Sequence, residues 1–216
     1  MASLRVLIVE DHVALGDALR LAVDLDPGLR SVGVATTVAE ALDLAVEGEA
    51  DIVLTDVRLP DGDGIEATAT LKELRPATRV IVLTAGVDAG ALLRAAEAGA
   101  SGFLSKDSRM AVILDAARRV AAGEPVLSPS ALQGLLAAGR HQGPAGVGAG
   151  GEDITDDDRQ LLVLMAEGLN LTSISSRLGT THEDLRQQLE GITAALGARS
   201  PLQTLLIAAR EGLLAG

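Results

Sequence analysis

The sequence predicts two units: an α/β unit on a doubly wound, five-stranded parallel sheet, followed by an all-α unit containing a helix-turn-helix. Three observations predict this. Over residues 4–122, short β-branched runs alternate with Ala/Leu-rich stretches of helical spacing. A Gly-rich segment then interrupts the alternation. Beyond residue 153, helix signals recur without a strand.

The strands are expected at 4–9, 30–35, 51–55, 79–84 and 101–105, each a short apolar run bounded by turn residues. Helices are expected at 13–25, 38–47, 64–74, 89–98 and 109–122. Residues 1–122 thus form the first unit, and 123–153 read as a linker. The linker carries one apolar stretch at 130–138, then a flexible Gly-rich run at 143–151. That run is no phosphate loop, because no Gly-Lys-Ser/Thr follows and no strand precedes it. Residues 154–216 give four helices. Thr155 and three acids open the first at 156–167, and Gly168 stops it. The second, 171–178, ends at Gly179. Thr181 is a capping candidate for the third, 183–196. Pro201 stands at a tolerated first-turn position of the fourth, 202–214. On that last helix Leu202, Leu205, Leu206, Ala209 and Leu213 make an apolar stripe, spaced for burial or pairing.

Composition narrows the function. The 216 residues contain no Cys, which excludes disulfides, thiolate metal sites and cysteine nucleophiles. No run approaches the length of a membrane span and no signal peptide is visible, so a soluble cytoplasmic protein is expected. The net charge of -12 disfavours nucleic acid and anionic membranes as default partners. Hydrophobic content of 48% suffices for cores of small aliphatic side chains.

The strand ends carry the chemistry. The first strand runs into Glu10 and Asp11, the third ends at Asp56, the fourth at Thr84, and the fifth at Lys106. Ligands of an open parallel sheet collect at the carboxyl ends of its strands, beside the switch in strand order. Three carboxylates, a hydroxyl and an ammonium should therefore meet in one cleft. Clustered carboxylates repel unless a cation joins them, and carboxylate oxygens suit Mg²⁺. An Asp beside Mg²⁺ can attack a phosphoryl group and carry it as an acyl phosphate. Of 18 Lys+Arg, only Lys72 and Lys106 are Lys, so the ammonium at 106 stands out as a compact point charge.

This order and spacing over residues 4–122 resemble the receiver domain of two-component response regulators, a flavodoxin-like fold. The resemblance implies that Asp56 is the phosphoacceptor. It implies Mg²⁺ held by Glu10, Asp11, Asp56 and the Arg58 backbone carbonyl. It also implies Thr84 as switch hydroxyl, Lys106 as the family's lysine, Phe103 as switch aromatic, and a sensor histidine kinase as partner. Phe103 is the only aromatic in the chain, and ordinary core packing is an equal reading of it. The expected readout of phosphorylation is homodimerisation. No second catalytic constellation appears, so no dedicated enzyme is expected.

The phrase Met165-Ala166-Glu167-Gly168-Leu169, then Ile174, Arg177-Leu178-Gly179 and Leu196-Gly197, resembles the LuxR-type output domain. The whole chain is thus similar to the NarL/FixJ family. The DNA-facing positions depart from that pattern. The recognition helix opens with His182, Glu183 and Asp184. Thr172 and Ser173 stand where the family's short helix has a basic residue; Ala195 and Pro201 replace two further cations. Arg186 and Arg199, with Gln187 and Gln188 as base readers, are the DNA contacts left. From 151 to 216, five Arg face ten acids, leaving -5 where a nucleic-acid reader shows a basic patch. Two readings follow: a phosphorylation-controlled transcription regulator with weak DNA binding of its own, or a regulator whose output domain binds protein.

Overall fold

The computed structural model describes residues 3–86, 89–142 and 154–214. In chain order β1 (Leu4–Val9), α1 (Val13–Leu25), β2 (Leu29–Ala35), α2 (Val38–Glu47) and β3 (Ile52–Asp56) come first. A two-residue hairpin of β4 (Arg58–Leu59) and β5 (Gly62–Asp63) then leads into α3 (Gly64–Leu74). β6 (Arg79–Thr84), α4 (Ala89–Glu97), β7 (Gly102–Ser105) and α5 (Met110–Ala121) follow.

The main sheet is parallel throughout, in the order β2-β1-β3-β6-β7-β8. It therefore has six strands, not the five expected from sequence. The sixth, β8 (Val126–Leu127), pairs Val126 with Gly102 and Leu127 with Phe103. Two residues are too few to show a strand period, so β8 leaves no sequence signal. Helices cover both faces, which is why the strands read as continuous apolar runs. Val6 and Ile8 pack toward α1 and α5, while Leu7 and Val9 pack toward α2 and α3.

Residues 129–142, placed in the linker by sequence, form α6 (Pro129–Gln142). Its apolar side chains divide between two cores. Ala131 and Leu135 join α4 and Phe103; Leu132 and Leu136 join the helices that follow. A helix with two apolar faces and with Gly134 and Gly139 in it lacks the single-face period that marks most helices. The expected flexible run at 143–151 lies outside the described residues.

The second unit is α7 (Asp156–Ala166), α8 (Leu171–Leu178), α9 (His182–Ala195) and α10 (Pro201–Arg210). Side-chain caps set their starts. Thr155 with Asp158, and Thr181 with Asp184, each close a capping box, while Asn170 and Ser200 cap α8 and α10. Gly179, at φ +69°, ends α8 in the left-handed region and opens the turn to α9. The stripe on α10 is buried, not free for pairing. Leu202 and Leu206 enter the core shared with α4 and Phe103, and Leu205, Ala209 and Leu213 enter that of the second unit.

The two units meet along α4, α6 and α10. Ser200 Oγ donates to the Ala100 carbonyl at 2.7 Å, Gln203 Nε2 donates to the Glu97 carbonyl at 3.1 Å, and Arg210 pairs with Glu97 at 2.5 Å. Buried leucines such as Leu202 and Leu206 contribute about 1.5–3 kcal/mol each. An ion pair with an exposed partner such as Glu97 adds about 0–1 kcal/mol. Apolar packing therefore holds this junction.

Lys72 lies under it. The side chain is buried, and Nζ donates to the Pro76 and Thr78 carbonyls. Burial, together with nearby Arg79 and Arg199, pushes its ammonium down to about 8. Its folded value lies below the ordinary 10.4 of an unfolded lysine. Between those values the unfolded chain binds more protons, so stability rises with pH there, by on the order of 1–3 kcal/mol in total. The chain has no Tyr or Cys to titrate in that window. Denaturant unfolding from pH 8 to pH 10 should show the rise, and Lys72→Met should flatten it. An equal slope in the variant would remove Lys72 as its source.

Candidate functional site

Strand order reverses at β1, which places the carboxyl ends of β1 and β3 side by side. Glu10 and Asp11 follow β1, and Asp56 is the last residue of β3. A cleft of about 600 Å³ opens there, lined among others by Asp11, Asp56, Arg58, Thr84 and Lys106. The backbone explains how each group arrives. β3 is buried over its whole length, so Asp56 is carried to the cleft floor at 7% exposure. Lys106 follows β7, its amide bonded to the Thr84 carbonyl, which fixes where the amine starts.

The Lys106 ammonium joins two carboxylates. Nζ lies 2.6 Å from Asp56 Oδ2 and 2.7 Å from Glu10 Oε2. Burial opposes its charge, but the hydrogen bonds it donates to Asp56 and Glu10 outweigh burial and hold the ammonium above its ordinary value. Glu10 is 1% exposed, so a buried carboxylate pair rests on one cation. Removing that cation would leave uncompensated buried charge.

Glu10, Asp11 and the His12 ring place one ligand atom each within 4.8 Å of one another. The His12 Nδ1 is 3.2 Å from Glu10 Oε1 and 3.0 Å from Asp11 Oδ1. The acids present are hard oxygen donors, as Mg²⁺ requires, and they carry more negative charge than Lys106 alone offsets, so the site fits a divalent cation. Asp56 lies outside this tight trio and meets Glu10 through Lys106. The imidazole at 12 was not foreseen; a His after two acids carries no spacing signal of its own.

Thr84 is turned into its own loop. Oγ1 donates to the Gly86 carbonyl at 2.7 Å and accepts from the Gly86 amide at 3.3 Å. Phe103 is 2% exposed and packs in the cluster containing Leu92, Ala95, Leu135, Leu202 and Leu206. Its ring therefore touches the core that joins the two units.

Gly64 shapes the cleft from below. A Cβ there would lie 1.9 Å from the Asp56 carbonyl oxygen and 2.7 Å from Thr55 Oγ1. Gly64→Ala is expected to destabilise the chain by about 3 kcal/mol and to displace Asp56. Urea unfolding checks the first part; an unchanged midpoint would show that the β3–α3 turn yields freely.

The helix-turn-helix residues are placed less openly. Arg186 pairs at 2.5 Å with both Glu183 and Glu190. The bonds Glu183 accepts from Arg186, and from Gln187, hold its carboxyl below the usual range. Gln187 donates to Glu183 and Gln188 to Asp158, so both amides are engaged. Asp184 caps its own helix. The start of α9 lies against the first unit: His182 Nε2 is 3.3 Å from Glu124 Oε1, and Arg186 packs on Gly123. Arg199 is exposed beside Gly99.

The model of the response regulator receiver domain family matches residues 6–118. The DNA-binding transcriptional activator DevR/DosR of Mycobacterium tuberculosis is 33% identical, over 94% of this chain and 93% of that protein. The transcriptional regulatory protein LiaR of Bacillus subtilis is 30% identical, over 98% and 99%. Among solved structures, a LuxR-family two-component response regulator from Aurantimonas matches with TM-score 0.58 at 33% identity, covering 61% of this chain and 94% of that one. The response regulator ChrA of a heme-sensing two-component system covers 97% and 96%, with TM-score 0.53 at 25% identity. No described helix is long and apolar enough to cross a membrane.

Proposed function

Because this chain belongs to the response regulators, with NarL/LuxR-type relatives along nearly its whole length, we propose that it is phosphorylated on Asp56 by a sensor histidine kinase and controls transcription through α7–α10. The Lys106 ammonium, held between Asp56 and Glu10, carries this reading. It places a cation where a phosphoryl group on Asp56 would bring new negative oxygens.

Asp56 attacks the phosphorus, the bond to the donor breaks, and an acyl phosphate forms. Glu10 and Asp11, with Asp56 and the Arg58 carbonyl, are the groups that would hold Mg²⁺, which supplies charge neutralisation at the phosphoryl oxygens when bound. Lys106 gives up its bond to Asp56 Oδ2 for a phosphoryl oxygen. Thr84 exchanges the Gly86 carbonyl for another. A charge-assisted hydrogen bond contributes about 1.5–3 kcal/mol, and a swing from 1:99 to 99:1 needs about 5.5 kcal/mol. Thr84 and Lys106 together reach that range; either alone falls short. Movement of Thr84 frees space toward Phe103, whose ring contacts the cluster of α6 and α10. Disturbing that cluster loosens the output unit, and homodimerisation is the expected readout.

The output unit spans α7–α10 in this reading, with Arg186, Gln187, Gln188 and Arg199 as its DNA contacts. The -5 balance and the engaged amides support weak DNA affinity of its own. A mobility-shift titration at two salt concentrations, on random and candidate promoter DNA with and without an acyl-phosphate donor, tests it. Absence of any DNA binding after phosphorylation would instead favour a protein partner. Sedimentation with and without a phosphate mimic tests the dimer; an unchanged profile would remove it.

A further inference from the structure

We propose that the junction of the two units is a binding site for one small oxyanion of the phosphate class, held between Arg79 and Arg199. A cleft of about 180 Å³ lies there, lined by Arg79 and Gly123 from the first unit and by Arg186, Glu190, Arg199 and Ser200 from the second. Arg79 spends Nε on the Val120 carbonyl at 3.2 Å, and Arg199 spends its backbone amide on Gln203. Among the described residues, neither guanidinium pairs with a carboxylate. Glu190, the one acid in the wall, is taken by Arg186 at 2.5 Å.

A third cation stands behind them. Lys72 is buried, and Arg79 and Arg199 are near enough to help depress its ammonium. Like charges from both units thus converge without a counter-ion, an arrangement that an anion stabilises. The start of α10 at Ser200 adds the positive end of a helix to the same wall. The backbone makes room for this convergence at two left-handed glycines. Gly99 has φ +90°, and a Cβ on it would come 3.0 Å from the Arg199 Cβ. Gly123 has φ +87°, and its Cβ would meet the Arg186 stem at 3.4 Å.

Recognition would rest on charge alone. The cleft offers no ring to stack a base, because Phe103 is the only aromatic and lies in the core. Planar guanidinium forks match a tetrahedral oxyanion well. An anion touching Arg79 and Arg199 together binds only the docked arrangement. It therefore stabilises that arrangement by mass action and opposes its opening. This site lies apart from the Asp56 cleft and needs no phosphoryl group on Asp56 to form.

Inorganic phosphate titrated calorimetrically into the full chain tests the proposal. EDTA keeps Mg²⁺ from recruiting phosphate to the acidic cleft, and sodium chloride holds ionic strength constant. Saturable one-to-one binding is expected. Arg199→Ala and Arg79→Gln should each weaken it at least about tenfold, and Arg199→Lys should recover part of the loss. Circular dichroism confirms that each variant is folded; Arg199, being exposed, tolerates the change. No saturable heat at millimolar phosphate, or unchanged affinity in Arg199→Ala, would overturn the site.

Discussion

An Asp56→Asn chain mixed with Mg²⁺ and a small acyl-phosphate donor is expected to gain no phosphoryl mass, while the unaltered chain is labelled. The amide has no anionic oxygen to attack phosphorus, so the loss should be complete. The fold should survive. The Asn carbonyl oxygen still accepts from Lys106, and Lys106 keeps Glu10. Replacing a charged acceptor by a neutral one costs about 1 kcal/mol. Lys106→Ala behaves differently, because it leaves Glu10 and Asp56 buried without their cation. About 3–5 kcal/mol of stability should go with it. Intact-mass analysis reads the first result and urea unfolding the second. Equal labelling of Asp56→Asn would move the phosphoacceptor elsewhere.

The second large effect concerns DNA. Glu183→Lys, Thr172→Lys and Ala195→Lys together should tighten DNA binding and make it more sensitive to salt. All three positions are exposed on α8 and α9. Three added phosphate contacts steepen the log–log salt dependence by about 2.7, which is roughly 40-fold in affinity between 50 and 200 mM salt. Asp184 is left in place, since its capping box with Thr181 is worth about 1 kcal/mol to α9. The measurement is a mobility shift with the donor present, because the start of α9 otherwise lies against Gly123 and Glu124. Tight, salt-steep binding by the unaltered chain to a defined promoter would show that the acids of α9 point away from DNA.

Much of this was legible in the sequence. Helices 13–25, 38–47, 64–74 and 171–178 lie where the apolar spacing puts them, because each carries apolar side chains at helical spacing that it buries. The cleft was legible because a parallel sheet delivers its strand ends to one place, whatever lies between them. β8 and α6 were not. One is too short to carry a period, and the other divides its apolar residues between two neighbours. The acids of α9 could be counted but not assigned. Only the folded chain shows Glu183 on Arg186 and Asp184 on Thr181. The junction around Arg79 and Arg199 was equally hidden, since two residues 120 positions apart share no local pattern.

The two-faced helix α6 has a consequence for how the chain comes apart on heating. Ala131 and Leu135 complete one core, and Leu132 and Leu136 complete the other. Melting either core strips partners from the same helix and so weakens its neighbour. Units joined by a bare tether would melt as two independent transitions. Here a scanning calorimeter should record a single peak, with van't Hoff and calorimetric enthalpies in agreement. The same sharing means that no cut between residues 126 and 142 is neutral. A first unit ending before β8 would present the edge of β7 and an uncovered Phe103, an invitation to aggregate.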